Sequence, residues 1–248
     1  MLKTDAGMLL SKADIITQLQ KSILPLQGFR YSAQNISVGL GPIEKAFPNY
    51  SFPLGSIHEF ICPDTESAAA TDGFITGILS SLMRKNGVSL WISSSQKIFA
   101  PSLKSFGIQP DKIIFVNVRK EKEVLWCVEE ALKCEGIAAV IGEMNDLNFT
   151  ISRRFQLAVE QSRVTGFILR NNLRQLNTTA CIARWQITSL PSVSYNNMPG
   201  ISFPRWNVEL LKVRNGKTGS WEIEWAKGKF IHITNVVPLL HEQQRKTG

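Results

Sequence analysis

The chain has 248 residues, 44% of them hydrophobic and 19% charged, which is the composition of a globular protein large enough to bury a substantial core. No apolar run approaches the roughly 18 residues of a membrane span, and the four cysteines have no metal-site spacing. The N-terminal residues have no continuous apolar segment, so we expect no secretory signal. We therefore expect a cytoplasmic protein in a reducing compartment, with no membrane association, no metal and no cofactor.

The net charge of +8 is unevenly distributed along the chain. Residues 1–150 contain 14 Lys and Arg against 15 Asp and Glu, whereas residues 151–248 contain 14 against 5. A basic region beside a neutral one favours a polyanionic partner, with nucleic acid as the first candidate. The alternative is a solvated basic surface that has no partner.

The N-terminal part of the chain predicts one helix and a connector. Apolar residues at helical spacing predict a helix at residues 12–24, which Pro25 ends. From there to Pro53 the chain is rich in Pro, Gly, Asn and Ser, which predicts a connector lying over a domain surface. We assign residues 1–52 to this helix and connector, residues 53–190 to a core, and residues 191–248 to a basic β extension with a flexible tail.

Strands and helices alternate regularly through the core. Apolar runs predict strands at residues 56–61, 88–93, 112–118, 137–142 and 165–169. Amphipathic segments predict helices at residues 67–85, 99–106 and 121–134, and a further helix that Thr150 caps and that ends near Ser162. Strands that are apolar throughout imply a mainly parallel sheet covered by helices on both faces, that is, an α/β fold. Ligands bind such sheets at the carboxyl ends of the strands.

After residue 170 the helices stop. Segments 180–187, 205–213, 220–225 and 229–234 predict antiparallel edge strands and a small C-terminal β hairpin. Trp206, Trp221 and Trp225 lie in these strands and are candidate partner-binding residues, since tryptophans beside basic residues stack on unpaired bases or anchor protein interfaces. The alternative is that they pack against the sheet.

The stretch "FPLGSIHEFICPDTESAAATDGF" has the order of a phosphate-binding loop, a strand followed by a turn and a helix. Such a loop needs two glycines, a lysine and a hydroxyl residue. Cys62 and Ser67 stand at the glycine positions, Ala68 at the lysine position and Ala69 at the hydroxyl position. Pro63 and Asp64 form the turn, and Glu66 adds a negative charge where phosphate would bind. We interpret the stretch as a degenerate nucleotide loop.

Longer segments resemble a known family. From Ser37 to about Leu190 the chain resembles the RecA-type ATPase core, through "FPLGSIHEFICPDTES", "SLWISSSQKIFAPSLKSFGIQPDKIIFVNV" and "IAAVIGEM". The resemblance is closer to the ImuA family of RecA-like inducible mutagenesis proteins. It is carried by "FAPSLKSFGI", "SRRFQLAVEQSRVTGFILR" and the ending "PRWNVELLKVRNGKTGSWEIEWA".

The resemblance implies a protein that is not an enzyme. In a RecA-like ATPase an acid at the end of a later strand holds the water of the metal, and a glutamate positions the attacking water. Here these positions fall on Gly142, with Glu143 one step away, and near Ser95. Because every catalytic part is replaced, we expect no ATPase activity.

The resemblance also suggests candidate nucleic-acid contacts. Residues 144–152 and 171–178 correspond to the DNA-binding loops of RecA-type proteins, in shortened form. Arginines in or beside such loops contact phosphates without reading sequence. The candidates are Arg153, Arg154, Arg170 and Arg174, and solvated helix ends are the alternative for the residues on the helix. Lys212 and Arg214 are further candidates, because they lie near the C-terminal tryptophans that could stack on unpaired bases.

Family resemblance implies an accessory role in the DNA damage (SOS) response, namely error-prone translesion synthesis. The implied partners are an inactive Y-family-polymerase-like (ImuB-type) subunit, RecA, an alternative DnaE-type polymerase and single-stranded DNA. A cell-division inhibitor of the SulA type, which binds the tubulin-like division protein, is the alternative function.

Overall fold

The computed structural model describes residues 11–12, 37–48, 50–85, 87–95, 98–171, 176–192 and 202–233. The strands in these residues are β1 Ile57–Cys62, β2 Val88–Ser93, β3 Ile113–Asn117, β4 Ile137–Met144, β5 Thr165–Asn171, β6 Ala183–Leu190, β7 Arg205–Val213, β8 Gly219–Ala226 and β9 Lys229–His232. The α-helices are α1 Thr65–Leu82, α2 Glu121–Lys133 and α3 Phe149–Ser162. Short 3₁₀ helices span Gly41–Ala46, Met83–Lys85, Ala100–Phe106 and Pro110–Lys112.

All of these strands belong to one sheet, in the order β3-β2-β4-β5-β1-β6-β7-β8-β9. The strands from β3 to β6 are parallel to their neighbours, and β7, β8 and β9 continue the sheet in antiparallel fashion. The predicted fold class is confirmed, because this architecture is consistent with a RecA-like α/β fold. One detail is corrected: β6 pairs in parallel with β1, so the antiparallel extension begins only at β7.

The sheet is covered on both faces. Phe60 of β1 packs with Phe74 of α1 on one face, whereas Ile57 of β1 belongs to the hydrophobic cluster of α2 and α3 on the other. Successive side chains of a strand point to opposite faces. A strand buried on both faces is therefore largely apolar, and the buried His58 and Glu59 of β1 are exceptions. The apolar runs explain why the sequence pattern found β1 to β5.

His58 is fully buried within β1, and both of its ring nitrogens have partners. Nε2 lies 2.8 Å from the carbonyl oxygen of Pro53, so Nε2 carries the proton. Nδ1 then accepts a hydrogen bond from Trp185 Nε1 at 3.3 Å. Burial lowers the pKa of His58 to about 4. His58 is the structural histidine that its position within a strand predicts.

Two local predictions differ from the structure. α3 begins at Phe149 because the Oδ1 of Asn148 accepts a hydrogen bond from the N–H of Ile151 at 2.9 Å, so Asn148 is the cap and Thr150 is not. The described part of the predicted connector enters the core: Leu40 and Ile43 have no exposed surface. The predicted helix at residues 12–24 lies, apart from its first residue, outside the described residues.

The C-terminal strands share a hydrophobic cluster with the core. Trp206 and Phe230 both contact Phe74 of α1, with ring centroids 6.4 and 5.4 Å apart. The residues predicted as a C-terminal β extension therefore pack against α1. In the part of the chain that the structure describes, no helix is long and apolar enough to cross a membrane.

Candidate functional site

The turn between β1 and α1 is where the sequence resembles a phosphate-binding loop. Only Pro63 and Asp64 separate the strand from the helix. Asp64 caps α1, and its Oδ1 accepts a hydrogen bond from the N–H of Ser67 at 2.7 Å, which lowers the pKa of the Asp64 carboxyl group. The protein's own carboxylate thus lies at the helix N-terminus, the position at which such motifs bind phosphate.

The residues aligned with the catalytic part of that loop are helical. Ser67, Ala68 and Ala69 lie within the first turns of α1, and Glu66 beside them accepts a hydrogen bond from the hydroxyl group of Ser189. Acidic side chains at a helix N-terminus stabilise the helix dipole. The same charges are unfavourable for a polyphosphate at this position.

Cys62, which ends β1, is chemically inert. Its thiol donates a weak hydrogen bond to Thr71 Oγ1 at 3.6 Å, and burial raises the pKa of the thiol to about 12. The thiolate is the reactive form of cysteine. At neutral pH the Cys62 thiol is therefore protonated, which makes it a poor nucleophile.

The end of β4 also differs from an ATPase. A Cβ atom at Gly142 would lie 2.6 Å from Val128 Cγ2 of α2, so a carboxylate has no room at this position. Glu143 points to the other face of the sheet, where its Oε1 accepts a hydrogen bond from Trp91 Nε1 at 2.7 Å. The acid nearest to the expected position is thus held by an indole group.

A polar cleft of about 160 Å³ lies at the carboxyl ends of β2, β4 and β5. Its lining comprises Ser94, Ser95, Glu121, Glu143, Met144, Asn145 and Asn171. Two carboxylates and no cation among these residues give the cleft a charge that repels phosphate. Among the described residues, no cluster of three or more His, Cys, Asp or Glu side chains could hold a metal ion.

A buried ion-pair cluster is centred on Glu59 of β1. Its Oε1 accepts a hydrogen bond from Arg170 Nη1 at 2.9 Å, and its Oε2 accepts bonds from Arg184 Nε at 2.8 Å and Thr179 Oγ1 at 2.7 Å. Glu59 has no exposed surface, and Arg170 is 1% exposed. Arg170 lies just before the loop that joins β5 and β6, and Thr179 lies in the second half of this loop. The Glu59 carboxylate therefore connects the end of β5 to the second half of the loop.

Basic side chains hold the same loop through its backbone. Arg184 Nη2 donates to the carbonyl oxygen of Asn177 at 2.5 Å. Lys212 Nζ donates to that of Thr179 at 2.9 Å, and Arg214 Nη2 to that of Ala180 at 3.0 Å. The cations of Lys212 and Arg214 are thus directed at the protein's own backbone.

Three of the predicted nucleic-acid contacts, Arg170, Lys212 and Arg214, meet around the β5–β6 loop, but their cationic groups bind the protein's own atoms. Arg170 is a buried ion-pair residue, so its predicted role as a surface contact is corrected. Arg153 and Arg154 are exposed on α3, but Arg153 lies 3.5 Å from Glu160 and Arg154 pairs with Glu129 of α2. Arg174 lies outside the described residues.

The tryptophans nominated as partner contacts are largely internal. Trp206 and Trp225 are each 4% exposed, which corrects their predicted role, and Trp221 is partly buried against the same cluster. All six tryptophans lie in the described part of the chain, and only Trp126 of α2 is mostly exposed, at 65%. Sequence reasoning missed Trp126, although it falls opposite the buried positions Val124 and Val128 on the predicted helix.

No family model matches the chain. A protein named Protein ImuA from Caulobacter vibrioides (strain NA1000 / CB15N) is 32% identical over 209 residues, which cover 79% of this chain and 86% of that protein. Protein ImuA from the strain ATCC 19089 / CIP 103742 / CB 15 gives the same values. The similarity extends over most of both chains.

Proposed function

Since this chain belongs to the ImuA family, we propose that it is a non-catalytic adaptor of damage-induced, error-prone translesion DNA synthesis. It acts in the cytoplasm by bringing proteins together, and it makes or breaks no covalent bond. The absence of catalysis is supported mainly by one observation: the carboxylate of Asp64 occupies the N-terminus of α1.

Several independent features support the absence of ATP chemistry. The turn before α1 has two residues, and Ala68 and Ala69 stand where a lysine and a hydroxyl group would be needed. Val128 leaves no space for an acid at Gly142. Phosphoryl transfer depends on neutralising the charge of the phosphates. The polar cleft at this edge of the sheet is lined by the carboxylates of Glu121 and Glu143 and by no cation.

The proposed partners are an inactive Y-family-polymerase-like subunit, RecA, an alternative DnaE-type polymerase and single-stranded DNA. The polymerase-like subunit is the primary partner, since family membership favours it most directly. Contact with DNA is weak and non-specific in this proposal. Two of its candidates, Arg153 and Arg154, already have carboxylate partners, and Lys212 and Arg214 donate to backbone carbonyl groups. A DNA phosphate has to compete with these partners.

Thermal unfolding in the presence of magnesium and ATP tests the non-catalytic part. A ligand that binds the folded state raises the melting temperature by mass action. We expect millimolar ATP to leave the melting temperature unchanged, while an active RecA recombinase under the same conditions is stabilised.

Asp64→Ala is the matched variant in this experiment. Removing the carboxylate frees the helix N-terminus but supplies no lysine, so we expect the variant to remain insensitive to ATP. A clear stabilisation of the wild-type protein by ATP would overturn the non-catalytic proposal. If ATP stabilised Asp64→Ala but not the wild-type protein, the Asp64 carboxylate alone would be enough to prevent nucleotide binding. This result would contradict the proposal that several replaced residues prevent it.

A further inference from the structure

The sheet has two edges, with β3 at one end and β9 at the other. An edge strand has backbone N–H and C=O groups without a partner strand, and folded proteins normally protect such a strand with charged residues or proline. β3 contains neither, since its sequence from Ile113 to Asn117 is IIFVN. Ile114 of this strand is 51% exposed. The residues of β3 therefore give this edge none of the usual protection.

One hydrogen bond identifies the backbone groups that face outwards from β3. The N–H of Val118 donates to the carbonyl oxygen of Ser93 of β2 at 3.0 Å. Backbone groups of alternate residues point to opposite sides of a strand, so those of Phe115 and Asn117 point away from β2. The carbonyl group of Ile113 also faces outwards, whereas its N–H donates within the preceding turn. Among the described residues, none of the outward groups of Phe115 and Asn117 has a hydrogen-bond partner.

A second copy of the same strand fits this edge. Two identical edges that meet around a two-fold axis run antiparallel, and their outward residues face each other. With Phe115 opposite Phe115 of the second copy, each N–H of this residue donates to the carbonyl oxygen of the other. Each Asn117 N–H then donates to the Ile113 carbonyl oxygen of the second copy. The same register places Ile114 opposite Val116, so the exposed isoleucine gains an apolar neighbour.

The charged residues that flank β3 are complementary in this register. Asp111 lies two residues before the strand and Arg119 lies two residues after it, so each Asp111 comes near Arg119 of the second copy. Both side chains are exposed, and neither has an ion pair among the described residues. Any other register of the two strands loses this match. The charges therefore favour one antiparallel arrangement.

We propose that β3 forms the interface of a homodimer in which two copies join their sheets edge to edge. A strand pair of this length is smaller than a standard protein interface, and two copies that each have a net charge of +8 repel each other at long range. The dimer is therefore weak and forms at micromolar protein concentration. This inference goes beyond the adaptor function and does not depend on it. The dimer presents each partner-binding surface of the chain twice.

Sedimentation velocity at increasing micromolar protein concentration tests the proposal. We expect the wild-type protein to shift from monomer to dimer and no further. Ile114→Lys places a charge against Val116 of the second copy, where it has no partner, so dimerisation should weaken by roughly tenfold or more. The matched control is Ile231→Lys on β9, where the isoleucine is 37% exposed, and it should leave dimerisation unchanged. Both variants should keep a melting temperature near the wild-type value.

Charge reversal tests the register. Asp111→Arg and Arg119→Asp each put like charges at both ends of the strand pair, so each variant alone should dimerise up to about tenfold more weakly. A mixed dimer of the two variants has opposite charges at both ends. A mixture of the variants should therefore dimerise about as strongly as the wild-type protein. Because both residues are exposed, neither substitution should change the melting temperature noticeably.

Hydrogen exchange provides a measurement that needs no substitution. The amide groups of Phe115 and Asn117 donate to the second copy only in the dimer. Their exchange should therefore slow as the protein concentration is raised. Exchange at these two amides that is independent of concentration, in a protein that dimerises, would place the interface elsewhere and overturn the proposal.

The sedimentation results can also contradict the proposal. A wild-type protein that stays monomeric throughout the micromolar range would overturn it. Unchanged dimerisation of Ile114→Lys would exclude β3, and equal losses in Ile114→Lys and Ile231→Lys would mean that added charge alone controls association. Growth beyond dimers would mean that β3 of one copy pairs with β9 of the next, which contradicts a two-fold interface. If the mixed charge variants associate no better than either variant alone, the proposed register is wrong.

Discussion

Two groups of cations in this protein differ in what they contact. Arg170 and Arg184 are buried against Glu59, and Lys212 and Arg214 bind backbone carbonyls of the β5–β6 loop. Arg119, Lys120 and Lys122, at the start of α2, are exposed and have no ion pair among the described residues. The first group lies in the half of the chain with the large positive charge, and the second in the nearly neutral half.

The comparison teaches that the charge of a segment does not locate a binding surface. A buried cation without a partner is costly, so the fold surrounds it with acceptors, and its field is then neutralised within the protein. An exposed cation costs little and keeps its field. Substitutions in the first group should therefore destabilise the fold, whereas those in the second should leave the fold intact.

The largest effect is expected for Glu59→Ala, which removes the common partner of Arg170 and Arg184. Breaking a buried ion pair on one side leaves an uncompensated charge, at a cost of about 3–5 kcal/mol in the free energy of unfolding. Equilibrium unfolding in urea measures this cost. The control is Glu160→Ala, which removes the exposed partner of Arg153 and should cost less than about 1 kcal/mol. A loss below about 1 kcal/mol for Glu59→Ala would contradict the structural role of the cluster.

An intermediate effect is expected from His58 when the pH is lowered. Burial lowers its pKa to about 4, whereas a histidine in the unfolded chain titrates near pH 6.5, at about its ordinary pKa. Between these pH values His58 binds more protons in the unfolded chain than in the folded protein. The contribution of His58 to the free energy of unfolding is therefore complete above about pH 6.5 and is lost as the pH falls towards 4. The loss between pH 7.5 and pH 5.0 should be about 2 kcal/mol.

Urea unfolding of the wild-type protein and of His58→Gln at both pH values tests this prediction. The glutamine amide can donate to Pro53 and accept from Trp185 without titrating. The variant should therefore lose less stability than the wild-type protein when the pH is lowered. Equal losses in the two proteins would assign the pH dependence to other groups.

The smallest effect on stability is expected for Lys122→Glu. The substitution replaces a cation with an anion near the N-terminus of α2, which should leave stability unchanged or raise it by about 0.5 kcal/mol. Urea unfolding at low salt is the appropriate measurement. A destabilisation greater than about 1 kcal/mol would mean that Lys122 has a structural role, and the contrast between the two groups of cations would fail.

Much of the fold was predictable from the sequence because the signals are local. β1 to β5 are largely apolar, so their runs stand out. α1 has Asp64 before it as a cap, although the predicted start of the helix was two residues late. The parallel pairing of β6 with β1 was not predictable, because the sequence pattern of a strand does not identify the strand that pairs with it.

The candidate site was predictable only in part. The residues at 62–69 could be compared directly with a nucleotide loop, since that comparison depends only on identity and order. The role of Arg170 could not be predicted from the sequence. Its partners are Glu59 of β1 and Asp146 of the loop after β4, and both are distant in sequence from β5. The alternation in β8 places Trp221 and Trp225 on one face, but it does not tell whether that face meets a partner or α1. The exposure of Trp126 was implied by helical spacing, which gives a side chain's direction but not its function.

The central claim is that this protein docks the polymerase-like subunit without using nucleotide. Isothermal titration of that subunit into the wild-type protein, with and without magnesium and ATP, tests the claim most directly. The account predicts binding with the same Kd in both conditions. Binding that requires ATP, or the absence of binding in both conditions, would contradict it.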